Sequence, residues 1–311
     1  MIRYLIWRLG LMIPTVLGVV TVVFLLIHLI PGDPVDAMLG ETALAADKEV
    51  LRRQLGLHRP LPVQYARYLR RLAIGSLGRS LHSGRPVRRM IVARYSATVE
   101  LAAAALVIAL LIALPLGAAA AAWPRSLIDR AGAVIALVGT TIPSLWLGPM
   151  LMLVFALWLG WLPVSGRGGF AHLVLPAVTL GLGMAALLTR LLRAVLLERL
   201  SEDYVRTARS KGAGAVRVLL RHALPTALSP VITVLGLQAG ALLSGAIITE
   251  TIFGWPGIGR LTLLAIQTRD YPLVQGCVLA VALTYVGLNL VIDLLYAWSD
   301  PRIRLPTESA P

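Results

Sequence analysis

The sequence predicts an all-α protein that crosses a membrane several times. Of its 311 residues, 58% are hydrophobic and 14% are charged, whereas soluble domains are about 45–50% apolar and about 25% charged. The mean hydropathy is +0.80, and apolar runs of membrane-spanning length recur along the chain. These observations exclude a soluble enzyme, a disordered chain and a disulfide-stapled secreted domain.

Six apolar runs predict six transmembrane helices, since each span needs about 20 mostly apolar residues. The first run is longer than the core of a signal peptide, and Pro31-Gly-Asp-Pro34 after it is no cleavage site, so we expect it to be retained. The predicted spans cover residues 9–30, 100–122, a stretch within 131–165, 171–189, 226–249 and 272–292.

The third span is ambiguous in the sequence. Residues 131–166 carry no charge, and one straight helix of that length would measure about 54 Å against a hydrocarbon core of about 30 Å. Pro143, Pro149 and Pro163 could divide it into two spans or trim it to one. One span leaves the eight basic residues of segment 190–222 on the side of the N-terminus. The positive-inside rule favours that solution.

The resulting topology has both termini inside the cell. Loop 31–98 has 12 basic residues and is nevertheless assigned outside, because long segments translocate largely regardless of charge. Within it, we expect helices over 47–57 and 63–73, the second with Tyr65, Tyr68, Leu69 and Leu72 on one side. The chain thus divides into a tail and first helix (1–30), an external loop (31–98), a five-helix core (99–293) and an inside tail (294–311).

Segment 190–222 predicts a short helix lying along the inner membrane surface. Ser201 can cap a helix running from Asp203 to Lys211, and Gly212 can end it. Leu224-Pro225 then starts the fifth span, since proline is tolerated in the first helical turn. The alternative is a basic loop that is merely solvated.

The same segment resembles the EAA loop of ABC importer permeases. Arg206-Thr-Ala208, Gly212 and Leu224-Pro225 have the spacing of that loop, while Arg206, Thr207 and His222 differ from its most common letters. The stretch Tyr204–Gly212 is similar to the peptide/nickel subfamily of these permeases. Further similar motifs are Pro31–Val35, Leu55–Leu57, Glu250–Arg260, Arg269–Pro272 and Asp300–Arg304.

This resemblance implies a type I ABC importer permease fold in a bacterial inner membrane. It implies four kinds of partner: a second homologous permease, two ATP-binding subunits, an extracytoplasmic substrate-binding protein and membrane lipid. The chain would form half of the pathway for peptides or nickel and other metal chelates. The partner ATPases would bind ATP and Mg²⁺, because this chain has no phosphate-binding loop. Loop 190–225 would contact an ATPase through its coupling residues, which are Tyr204, Arg206, Thr207, Ala208, Gly212, Leu224 and Pro225.

Polar residues inside the predicted spans are candidates for the translocation pathway. Glu250, at the outer end of the fifth span, is the best candidate for a gate, with a salt bridge to Arg260 or Arg269 as the alternative. For the others, hydrogen bonding between helices is the alternative to lining a pathway. The polar residues considered also include His28, Thr284 and Asp293, and the pathway or gate candidates are Gln238, Ser244, Thr249, Glu250 and Asn289.

Other functions find little support in the sequence. No two of the five histidines have i, i+4 spacing, so we expect no metal site, and the single Cys277 reads as a small buried hydrophobe. No nucleophile or carboxylate pair indicates catalysis. The basic residues lie between apolar runs, where lipid headgroups rather than nucleic acid explain them. An ion-gradient-driven secondary transporter remains the alternative function.

Overall fold

The computed structural model describes residues 2–29, 35, 44–55 and 57–299, and nearly all of them are helical. Within these ranges the extended pairing is one isolated bridge between Arg79 and Pro86. The helices are α1 (Ile2–Leu29), α2 (Ala45–Leu55), α3 (Leu61–Ala73), α4 (Val87–Ala122), α5 (Leu127–Thr141), α6 (Ser144–Leu151), α7 (Phe170–Leu200), α8 (Asp203–Ser210), α9 (Ala215–Arg217), α10 (Leu224–Ile252), α11 (Ile258–Gln267) and α12 (Tyr271–Ser299), with π-helical turns at Met152–Trp158 and Val218–Ala223.

The all-α membrane fold is confirmed, while the number of six spans remains a prediction. Among the described residues, four helices are long and apolar enough to cross a membrane, or five if the bent pair at 127–158 is one span. The first helix contributes a shorter apolar segment over residues 10–25. Several helices extend beyond the limits of their predicted spans. The longest, α4, begins 13 residues before position 100, directly after Pro86.

Helices α4 and α7 form the centre of the bundle. They run in the same direction, because Gly181 faces Ala105 near one end and Gly117 faces Leu192 near the other. The contact is close: a Cβ added to Gly181 would lie 2.8 Å from the Ala105 carbonyl oxygen. Small residues permit such approach between membrane helices. The chain between α4 and α7 therefore runs from one end of the bundle to the other, and the single crossing predicted for residues 131–165 requires this arrangement.

The segment predicted to form the third span is sharply bent. Helices α5 and α6 meet at Ile142-Pro143 with an angle of 105° between them. Proline disfavours the α conformation for the residue before it and lacks an N–H, and Pro143 is accordingly the N-cap residue of α6. Of the three prolines considered above, Pro143 therefore makes the sharp break, while Pro149 lies inside α6.

A cluster of buried hydrophobic residues lies at the end of the bundle that carries α11, and we call this end the opposite end. Here Val87 and Ile91 of α4 pack with Ile258 of α11 and with Leu273 and Cys277 of α12. Cys277 is fully buried and unpaired, as predicted. The end that carries α8 is called the coupling end below.

The amphipathic helix predicted over 63–73 is confirmed as α3. Tyr68, Leu69 and Leu72 pack against the cluster formed by Val20 and Val23 of α1 and Leu279 of α12, and the Tyr65 hydroxyl lies 2.7 Å from the Thr21 hydroxyl. Burial, with a smaller contribution from Tyr65, raises the pKa of Tyr68 to about 12. The helix begins two residues earlier than expected, because Pro62 is accommodated in its first turn.

Candidate coupling segment and translocation pathway

The predicted surface helix is present as α8, with one correction at its start. Ser201 does not cap it: its hydroxyl donates to the Glu198 carbonyl of the preceding helix, at 2.7 Å. The N-cap residue is Glu202, which makes no side-chain capping bond. Asp203 lies in the first turn, where a negative charge favours the helix N-terminus.

Gly212 ends the segment as expected. Its φ is +81°, a left-handed conformation that costs other residues about 1–2 kcal/mol. The Gly212 N–H donates to the Arg209 carbonyl at 2.9 Å, and the Ala213 N–H donates to the Ala208 carbonyl at 3.1 Å. These bonds satisfy carbonyls that would otherwise be free at the helix end. The chain therefore reverses at a fixed point directly after α8.

The inner face of α8 is attached to the start of α10. Val205 is fully buried, and α8 contacts the π-helical turn Val218–Ala223. The Tyr204 hydroxyl lies 3.2 Å from the Thr226 hydroxyl, one turn into α10. Val205 and Tyr204 therefore attach α8 to the helix that Leu224 and Pro225 begin.

Most of the other predicted coupling residues are at least partly exposed, and Leu224 also packs against the buried core. Arg206, Thr207 and Gly212 are exposed, and Ala208 is half-buried. Leu224 is half-buried and Pro225 is exposed at the first turn of α10. Apart from the ion pair of Arg206 with Asp203 at 3.2 Å, this surface has few internal contacts. The segment therefore presents one attached face and one open face.

The π-helical turn before α10 was not predicted. Its signal is Pro225, which cannot donate a helical hydrogen bond to the residue four positions earlier. Single π-turns occur frequently at functional sites and mark places where a helix can change register. Here the turn lies directly beneath α8.

A second feature missed from sequence is an ion pair that joins α5 to α7 at the coupling end. The Arg193 guanidinium donates to both carboxylate oxygens of Asp129, with the Nη2–Oδ2 bond at 2.7 Å. Asp129 also accepts from the Arg125 N–H at 2.8 Å, and its own N–H donates to the Ser126 hydroxyl. The Ser126-x-x-Asp129 spacing is a capping-box signature that could have indicated the position of Asp129.

The bend in the third span opens a cavity of about 340 Å³ between α5, α6, α7 and α10. Gln238 contributes to its wall together with Thr140, Ser144 and Thr179. These neutral groups can donate and accept hydrogen bonds. Broken membrane helices often border substrate sites. Gln238 is thus the predicted pathway residue that lies beside a polar cavity.

Asn289 lies elsewhere, in a larger cavity of about 640 Å³ between α1, α10, α11 and α12. That cavity is mainly apolar, with Thr15, Thr262 and Tyr285 as its other polar residues. The side chain of Ser244 lies outside the described residues. The structure therefore does not bring Gln238 and Asn289 together within this chain.

Thr249 and Glu250 are fully buried at the opposite end. The Glu250 carboxylate accepts from the Thr98 hydroxyl at 2.7 Å and from the Arg260 backbone N–H at 2.9 Å. The salt bridge considered for Glu250 is not formed, since the Arg260 guanidinium donates to the Gly254 carbonyl instead. Thr98 also accepts from the Ile258 N–H at 2.8 Å. These contacts join α4, α10 and α11.

No group of three or more His, Cys, Asp or Glu side chains that could hold a metal occurs in the part of the chain that the structure describes.

A bent membrane helix, a polar cavity beside it and a surface helix mounted on the next span define a class of protein. These features are typical of a subunit of a membrane transporter.

The sequence of this chain matches two family models. Residues 113–305 match the model for the binding-protein-dependent transport system inner membrane component, and residues 1–102 match the N-terminal model of such membrane components. The chain therefore belongs to the family of binding-protein-dependent ABC importer permeases. It is a subunit of a transporter, not an enzyme, and a multi-pass inner membrane protein that functions with ATPase and substrate-binding protein partners.

The relatives of this chain match it over nearly their full length. The glutathione transport system permease protein GsiC of Salmonella paratyphi A is 42% identical over 304 residues, covering 98% of this chain and 99% of the relative. The dipeptide transport system permease protein DppB of Escherichia coli K12 is 41% identical over 336 residues, with the same coverage. An inward-facing structure of the MetNI methionine ABC transporter aligns with a TM-score of 0.57 at 18% identity, over 68% of this chain and 96% of that chain, and supports the fold alone.

Proposed function

We propose that this chain forms half of the translocation pathway of an ATP-driven importer for small peptides or glutathione-like compounds. It pairs with a second homologous permease and two ATP-binding subunits, which bind the ATP and Mg²⁺. The named relatives favour peptides or glutathione as the substrate class over nickel or other metal chelates. The family assignment does not support an ion-gradient-driven transporter.

The observation that carries the coupling role is the arrangement of α8. Its open face is available to a partner, while Val205 and Tyr204 attach its other face to the start of α10. A partner that displaces α8 displaces α10, which borders both cavities. A rigid helix attached in this way can convert closure of an ATPase dimer into motion of a membrane span.

Two proline substitutions test this role. Proline cannot adopt the φ of +81° found at Gly212, whereas Gly214 has a φ of −67° that suits proline. In proteoliposomes containing the complete transporter, we expect Gly212→Pro to hydrolyse ATP with little uptake of labelled dipeptide or glutathione. Gly214→Pro is the matched control and keeps uptake. Normal uptake by Gly212→Pro would contradict the coupling role.

Partner composition is tested on the same material. Purification of the tagged chain in mild detergent, followed by mass spectrometry, should recover one further permease, ATPases and a substrate-binding protein. Recovery of this chain alone, from a preparation that preserves other membrane complexes, would refute the proposed assembly.

The proposed orientation has both termini inside and loop 31–98 outside. Ser83 and Ser210 have exposed positions in loop 31–98 and at the end of α8. In cells whose outer membrane has been removed and whose inner membrane is intact, a membrane-impermeant maleimide should label Ser83→Cys and not Ser210→Cys. The buried Cys277 contributes little background. The reverse labelling pattern would invert the topology.

The cavity at the helix break is our candidate for the pathway within this subunit. Gln238 offers a neutral amide, so the cavity can hydrogen-bond a peptide without selecting its charge. We expect Gln238→Leu to lower uptake, while Gln267→Leu, at an exposed position on α11, leaves it unchanged. Equal uptake by both variants would remove Gln238 from the pathway.

A further inference from the structure

A cavity of about 370 Å³ lies at the coupling end, where the end of α4, the start of α5 and the second half of α7 meet. Its basic lining residues are Arg130, Arg190 and Arg193, and its acidic lining residue is Asp129. We call this cavity the arginine pocket. It is built by three helices, so a molecule bound in it would contact all three.

The arginine pocket has an excess of positive charge. Three guanidinium groups and one carboxylate line it, which leaves a net charge of +2. Arg130 and Arg190 are exposed, and neither forms an ion pair within the described part of the chain. The attraction for an anion therefore comes mainly from these two residues, one on α5 and one on α7.

The third arginine is held in a fixed orientation by the carboxylate. Arg193 donates from Nε and Nη2 to the two oxygens of Asp129, and Asp129 also accepts from the Arg125 N–H. These bonds use two of the five N–H groups of the guanidinium, and neither of them involves Nη1. Arg193 can therefore donate from Nη1 to a ligand while its bonds to Asp129 remain in place.

Small residues provide the space inside the pocket. Ala120 and Gly132 line it and are buried. A Cβ added to Gly132 would lie 3.9 Å from the Ala120 Cβ, so α4 and α5 lie close together here. Larger side chains at these two positions would occupy the volume that the arginines surround.

Exposed apolar residues continue from the pocket along α5 toward the opposite end. Val134 and Leu137 are 58% and 60% exposed, and they share a helix face with Arg130 because they follow it by four and seven residues. Trp123 and Leu127 are exposed near the start of α5. Tryptophan is enriched where a membrane meets water. The pocket therefore lies at the level of lipid headgroups, next to a surface suited to hydrocarbon.

We propose that the arginine pocket binds the phosphate of an anionic phospholipid in the inner leaflet, with an acyl chain along Val134 and Leu137. The proposal rests on the orientation given above, in which the coupling end faces the cytoplasm. Basic pockets between membrane helices on that side bind anionic headgroups in other proteins. A soluble phosphate has the same charge chemistry. The lipid is favoured because the exposed apolar face of α5 gives it a second set of contacts.

The test measures stabilisation of the purified full chain by lipid. Thermal unfolding midpoints are compared in mild detergent with added phosphatidylglycerol, phosphatidylcholine or inorganic phosphate. Arg130→Gln/Arg190→Gln removes the two unpaired charges and leaves the bonds between Asp129 and Arg193 intact. Arg217→Gln/Arg221→Gln is the matched control, because it removes two exposed arginines of the coupling end that do not line the pocket.

We expect phosphatidylglycerol, at about tenfold above its Kd, to raise the wild-type midpoint by about 3–6 °C relative to phosphatidylcholine. The control should gain the same amount and the pocket variant less than about half of it, with equal midpoints for all three in phosphatidylcholine. An equal gain in the pocket variant, or no gain in the wild type, overturns the proposal. A gain with inorganic phosphate as large as that with phosphatidylglycerol also overturns it, in favour of a soluble anion. The maleimide labelling of Ser210→Cys decides separately whether the coupling end faces the cytoplasm, so an error in orientation is distinguishable from an absence of lipid binding.

Discussion

Thr98→Val tests whether the contacts around Glu250 hold the opposite end of the bundle together. The Thr98 hydroxyl donates to the Glu250 carboxylate at 2.7 Å and accepts from the Ile258 N–H at 2.8 Å. Thr98 is 5% exposed and Glu250 is fully buried, so water cannot replace either bond. Valine has nearly the same shape and removes both bonds at once.

The magnitude follows from the two bonds lost: the Ile258 N–H loses its acceptor and Glu250 Oε1 loses the Thr98 donor, while Glu250 Oε2 still accepts from the Arg260 N–H. A buried polar group that loses its hydrogen bond costs about 1–3 kcal/mol, so the two together cost about 2–6 kcal/mol. For a protein of this size, 1 kcal/mol corresponds to about 2–4 °C in the midpoint of thermal unfolding, so we expect a fall of at least about 4 °C.

The assay is thermal unfolding of the purified chain in detergent, followed by size-exclusion chromatography or tryptophan fluorescence. Thr189→Val is the matched control, because Thr189 is 4% exposed and its hydroxyl donates to the Ala185 carbonyl of its own helix. Thr98→Ser should retain most of the stability. If Thr98→Val and Thr189→Val shift the midpoint equally, the Glu250 contacts have no special role.

Two further predictions concern the packing of the bundle. Gly181→Ala should destabilise the chain by about 1–3 kcal/mol, because the added Cβ would be overpacked against the Ala105 carbonyl. Gly183→Ala should be tolerated, because its Cβ would lie 3.7 Å from the nearest atom, the Gly139 carbonyl oxygen. Equal thermal unfolding midpoints for the two variants would refute the close contact. Arg193→Asp should lower the yield of folded protein by placing two carboxylates together, and adding Asp129→Arg should restore part of it. The measurement is the monodispersity of each purified variant. If the double variant is no more monodisperse than Arg193→Asp alone, the two residues do not act as a pair.

The sequence predicts the elements whose signal is local. α3 and the end of α8 follow from the spacing of Tyr65 and Tyr68 and from Gly212, because amphipathic periodicity and left-handed glycine act within a few residues. Span limits were less accurate, since α4 continues to Pro86, where burial against α11 and α12 replaces lipid as the stabilising environment.

Contacts between distant segments could not be predicted in this way. Nothing near Thr98 indicates that it faces Glu250, 152 residues later. A charged residue near a span end can equally face water, an arginine or a backbone N–H, and only the packing of α4 against α11 selects among them. The role of Glu250 as a gate therefore remains a prediction, to be set beside its observed hydrogen bonds.

The buried carboxylate of Asp270 accepts from the Ser80 hydroxyl and the Leu81 N–H, and this long-range contact has a consequence for the order in which the chain folds. Ser80 and its acceptor Asp270 are 190 residues apart. At a synthesis rate of about 5–20 residues per second, the segment around Ser80 exists for about 10–40 s before its partner is made. During that interval the turn that follows Ser80 has no anchor. Proteases and quality-control factors can therefore reach this turn in every new chain until residue 270 has been made. A chain truncated before residue 270 never forms the contact.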